Sequence, residues 1–182
     1  MNKRVLIGLF LWICVAIAWA SVAKEYPFKG SRRCKACHAR KDTGNQYGKW
    51  KEGPHSKAYE TLGQEEAKKA AAKVGIEDPQ QSDSCLKCHT TTYEVEAKWL
   101  RGLTLQEGVS CESCHGPGGH YWRTEIMKNP EEARAKGLRL PADEDFCITC
   151  HNDGCPCYQP LDLAEGMKTI KHWGSLKRKP KE

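Results

Sequence analysis

Cys34-Lys-Ala-Cys37-His38, Cys85-Leu-Lys-Cys88-His89, Cys111-Glu-Ser-Cys114-His115 and Cys147-Ile-Thr-Cys150-His151 are four copies of one pattern, using eight of the 11 cysteines in this 182-residue chain. Cys-x-x-Cys-His is the attachment sequence of c-type haem. Two thiols one helical turn apart reach the two vinyl groups on one porphyrin edge and form thioethers. The adjoining histidine then turns beneath the macrocycle as the proximal iron ligand. Other uses of cysteine fit poorly. Zinc can take paired Cys-x-x-Cys motifs but does not require a histidine after every second cysteine. A disulfide framework would not repeat one short spacing four times, and a thioredoxin-like motif occurs once per domain. The expected cofactor is four covalent haem c groups.

Composition agrees. Only 39% of residues are apolar and 3 are Phe, whereas charged residues make up 29%, so an aliphatic core would be thin. Six Trp and six Tyr are too many for a disordered chain. A multi-span membrane protein and an acidic disordered tail are both excluded. Met1 to Ala23 reads as a secretory signal: basic Lys3-Arg4, an apolar run from Val5 to Ala20, then small residues up to Ala23. Cleavage after Ala23 is expected, an N-terminal membrane anchor being the other reading. Either way the remainder, a tetrahaem domain over 24–176 and a basic tail over 177–182, lies in an oxidising compartment, the periplasm or outside the cell. Cleavage lowers the formal charge of +6 by two, for Lys3 and Arg4. Eight haem propionates would then bring the balance to about −4. The basicity of the chain is therefore no argument for nucleic acid.

The chain has 7 histidines, of which His38, His89, His115 and His151 are the proximal set. That leaves His55, His120 and His172 as distal ligands for four irons, so one haem keeps an open sixth position unless another group fills it. Met127 and Met167 are sulfur candidates, a ligand from a neighbouring chain is another, and the extra pair Cys155 and Cys157 has no assigned role.

Short helices and long loops wrapped around the haems are expected, a mainly α fold. Residues 25–33 read as a leader. A helix from Pro54 would place His55, Ala58, Tyr59 and Leu62 on one face. Further helices are expected over 64–74, over 130–137 and over 162–172, and 93–108 as a loop or short extended hairpin. Cys111 to His115 forms a helical turn broken by Gly116-Pro-Gly-Gly119. His115 and His120 are separated by at most about 17 Å of extended chain. His120 is thereby carried out of the His115 helix toward a neighbouring haem.

These residues resemble the tetrahaem cytochrome c-554 family of ammonia-oxidising bacteria. The likeness rests on Trp50 followed by Pro54-His55-Ser-Lys-Ala58, on Gly108-Val-Ser-Cys111-Glu-Ser-Cys114-His115-Gly-Pro-Gly118 ahead of another histidine, and on a late Ile170-Lys-His172. The resemblance implies the ligand pairs His38 with His120, His115 with His55, and His151 with His172, leaving His89 without a distal histidine. The chain departs from the family in a shorter stretch between the third and fourth motifs and in Cys155 and Cys157. Some multihaem relatives polymerise through a histidine of the next subunit, and no surplus histidine is visible here.

Bis-imidazole haems have no vacant site, so they pass electrons. The expected role is a periplasmic electron carrier between redox proteins, among them a membrane-associated quinol oxidase or reductase, rather than an enzyme. The alternative is reduction of nitric oxide, hydroxylamine or nitrite at a five-coordinate haem on His89, with proton donors from Thr90-Thr91-Thr92-Tyr93-Glu94. An oligomer or conducting filament is a third reading. Intact-protein mass spectrometry of the exported protein should show residues 1–23 removed and four haem masses added; an unmodified chain mass would end the haem reading.

Overall fold

In the computed structural model, residues 26–140, 144–155 and 158–172 are described; the signal segment, Cys157 and the basic tail lie outside them. Among the described residues all regular structure is helical, in ten short α-helices. They are α1 (Ser31–His38), α2 (Gln46–Glu52), α3 (Ala58–Leu62), α4 (Glu65–Ala72), α5 (Asp83–His89), α6 (Cys111–His115), α7 (Thr124–Met127), α8 (Pro130–Ala135), α9 (Glu144–Ile148) and α10 (Leu163–Ile170). Single 3-10 turns at Lys41–Thr43, His55–Lys57, Ala97–Trp99, Leu105–Glu107 and Gly118–His120 punctuate the connections.

The haem motifs determine where several helices stop. α1, α5 and α6 each end on the histidine of a Cys-x-x-Cys-His motif. Helical spacing of i and i+3 brings the two thiols of each motif to one face, and the histidine lies at the frayed end where its backbone can turn. Cys150 and His151 lie one turn beyond α9. Capping chemistry sets the later helices. Asn129 accepts from the amides of Glu131 and Glu132 at 3.2 Å, with Pro130 at the first position of α8. Asp162 accepts from Glu165 N–H at 3.0 Å and starts α10.

Two expectations change. The leader ends sooner than expected, because α1 begins at Ser31. The helix from Pro54 divides at Lys57 (φ −105°, ψ 1°), so His55 lies on a 3-10 turn ahead of α3 and not on its face. Residues 93–108 take the loop of the two expected alternatives, with two 3-10 turns, held by hydrogen bonds such as Thr91 N–H to Gly108 O at 3.0 Å.

Apolar burial is slight. Among the described residues the buried hydrophobic side chains are Leu62, Ala71, Leu103, Tyr121 and Ala133, too few to hold ten helices together. The bulkiest fully buried side chains are instead Glu112, Pro79, Ser31 and Ser110. Polar long-range links converge there. Glu107 accepts from Ser31 N–H at 2.7 Å, Ser31 Oγ accepts from Cys111 N–H at 3.4 Å, and Trp50 Nε1–H donates to Val109 O at 2.9 Å. Gly30 makes this junction possible, with φ +75° and a Cβ position 2.2 Å from Gly102 O. Gly30→Ala should therefore destabilise the protein by more than about 1 kcal/mol, measured as a lowered thermal midpoint of the haem-loaded form.

Candidate haem-binding sites

Thiols of different attachment motifs lie near enough to influence one another's ionisation. Cys34 of α1 hydrogen-bonds Cys111 of α6, an interaction that raises the Cys34 pKa and lowers that of Cys111. Cys88 of α5 hydrogen-bonds Cys150; burial, then Cys150, pushes Cys88 up to about 11. Cys114 is likewise pushed up to about 11, by burial first and then by Cys147. Cys37 is the exposed member of the set.

The histidines show how they are oriented. His89 Nδ1–H donates to Ala58 O at 2.8 Å, His115 Nδ1–H to Arg139 O at 2.9 Å, and His172 Nδ1–H to Ile170 O at 2.8 Å. A carbonyl oxygen can only accept, so the neutral ring carries its proton on Nδ1 and leaves the Nε2 lone pair for a metal. Burial holds the His115 pKa below the usual range, and burial followed by His151 does the same for His55.

Two pairs of imidazoles lie close together, one tilted and one edge-on. The ring centres of His55 and His151 lie 6.1 Å apart, and those of His115 and His172 lie 6.0 Å apart. With metal–nitrogen bonds of about 2.0 Å, two imidazoles on opposite sides of one iron have centres about 6 Å apart, so the residues fit the group. These proximities are not the pairs implied by the family resemblance, which set His55 with His115 and His172 with His151. Helix α10 is what exchanges them: it carries His172 to His115, while the 3-10 turn after Pro54 delivers His55 to His151.

A cavity of about 210 Å³ is lined by His55, His151, Cys147, Leu161, Leu163 and Met167. Met167 is thus an apolar wall of that cavity. His120 stands edge-on to Tyr26, ring centres 4.5 Å apart, and among the described residues no ring contact joins it to His38. Of the segment after His89, Thr90 Oγ1 donates to Leu86 O at 2.9 Å, and Thr91 Oγ1 accepts from Ser110 N–H at 2.7 Å. Both hydroxyls are engaged in backbone support rather than free as proton donors.

Glu112 was not singled out by the motif reading. Its carboxylate is 2% exposed and accepts from Lys29 N–H at 2.9 and 3.1 Å, Gly30 N–H at 2.8 Å and Gly118 N–H at 2.6 Å. Burial pushes its pKa up and these amides pull it back. The available signal was that, of the four motifs, only this one has an acid between its cysteines.

A profile of the family described as cytochrome c554 and c-prime matches residues 33–116. Cytochrome c-554 of Nitrosomonas europaea is 30% identical over 151 residues, 72% of this chain and 60% of that protein. The chain thus spans about three-fifths of that relative's length. The multihaem cytochrome MtrA of Shewanella baltica is 28% identical over 86 residues, 43% of this chain and 26% of MtrA. Among solved structures, reduced cytochrome c554 from Nitrosomonas europaea superposes with a TM-score of 0.51 at 26% identity, over 80% of this chain and 78% of that one. The new pairing makes a specific demand. His172→Ala should turn one haem high-spin, and paramagnetic NMR should place it at the Cys111–Cys114 thioethers; a change at Cys147–Cys150 would restore the other pairing.

Proposed function

Because the chain belongs to the cytochrome c-554 family, electron carriers bearing covalent haem c, we propose that it is a periplasmic tetrahaem protein relaying electrons between redox partners. The facing imidazoles, 6.0 and 6.1 Å apart, carry this reading. An iron held on both sides by histidine has no position for substrate. Haem in such a site supplies a one-electron ferric–ferrous couple whose potential follows its axial ligands, hydrogen bonding and burial.

The chain does the rest. Cys34 and Cys37, Cys85 and Cys88, Cys111 and Cys114, and Cys147 and Cys150 would fasten the four groups. His38, His89, His115 and His151 would bind from the proximal side, and His55, His120 and His172 from the distal side. The Nδ1–H bonds of His89, His115 and His172 fix their rings before any metal arrives. A donor and an acceptor, a membrane quinol oxidase or reductase among them, would exchange electrons with these groups.

EPR of the oxidised protein should give one high-spin ferric haem, on His89, and three low-spin ones. In stopped-flow mixing all four should be reduced by a donor and reoxidised by an acceptor protein. Consumption of nitric oxide or hydroxylamine at a rate matching that transfer would instead make the protein a reductase at His89; four low-spin signals would remove that site.

A further inference from the structure

We propose that Glu112 is a positioning residue whose buried carboxylate holds His120 in place as an axial ligand. The inference rests on the reading above that His120 binds an iron.

The carboxylate joins two segments that the sequence keeps far apart. One oxygen accepts from Gly118 N–H at 2.6 Å, at the start of the Gly118–His120 turn. The other accepts from Gly30 N–H at 2.8 Å, and both take the Lys29 amide. Residues 26–30 run directly into α1, the helix that ends at His38. The same stretch carries Tyr26, whose ring stands edge-on to His120, and Pro27, onto which Gly119 packs so closely that a Cβ there would lie 2.4 Å from it. One side chain thus fixes both the turn bearing His120 and the residues flanking it.

The chemistry needs a carboxylate. Its two oxygens offer about four lone-pair sites and no donor, matching amides that arrive from several directions. Glutamine replaces one oxygen with an NH2 group that would face a donor from Gly118 or from Gly30, leaving buried N–H groups unpaired. Glu107 is the natural comparison, since it accepts from Ser31 N–H at 2.7 Å without touching the His120 turn.

The test uses full-length, haem-loaded protein, with haem content measured for every variant and spin states counted by EPR. His120→Ala should add one high-spin haem, converted to low spin by added imidazole. Glu112→Gln should reproduce both effects, whereas Glu107→Gln should leave the spin count unchanged. Glu112→Asp, one methylene short of spanning the amides, should show a partial effect and serves if the glutamine variant does not accumulate. Full haem content with an unchanged spin count in the Glu112 variants, while His120→Ala responds, would overturn the proposal. An unchanged spectrum in His120→Ala would overturn the ligand reading beneath it.

Discussion

A thioether between cysteine and porphyrin is permanent and short, and most of this fold follows from it. Each attachment sets three residues, two cysteines and a histidine, against one flat apolar group. The backbone around them then needs only to be helical for a single turn or two. That is why, among the described residues, ten helices of four to eight residues suffice and so little aliphatic surface is buried. The ring faces replace a core that the amino-acid composition could not have supplied.

Among the described residues, polar side chains are buried as often as apolar ones, and those at the centre of the fold are paired. Ser31, Ser110 and Glu112 are among the most enclosed side chains, all within the junction between α1 and α6. Buried polar groups are stable only when their hydrogen bonds are complete. Ser110 caps the N-terminus of α6 by accepting from Glu112 N–H at 3.2 Å, and Glu107 binds the first turn of α1. The result is rigid where two attachment helices abut, which is where their thiols touch.

The attachment motifs stand out in the sequence because covalent chemistry dictates a fixed local spacing. The helix of Pro130 was legible because Asn129 and Pro130 act within one turn, and that of Leu163 because Asp162 caps it. Other features depend on contacts distant in sequence. The start of α1 at Ser31 needs the amides of Lys29 and Gly30 bound by a residue more than 80 positions away. The partner of His55 could not be read from its neighbours, since nothing local distinguishes His115 from His151 as its opposite number. Glu112 was passed over because its role lies in what surrounds it, and an acid inside a haem motif looks locally like a solvated position.

The backbone carbonyls that accept from imidazole do more than choose a tautomer. Such acceptance makes the remaining nitrogen more basic. His115 and His172, which face each other, both donate in this way, whereas among the described residues His55 and His151 show no such bond. An iron held by His115 and His172 would be enriched by both ligands and would favour its ferric state, so the direction in which two carbonyl groups point would bear on the potential of that centre.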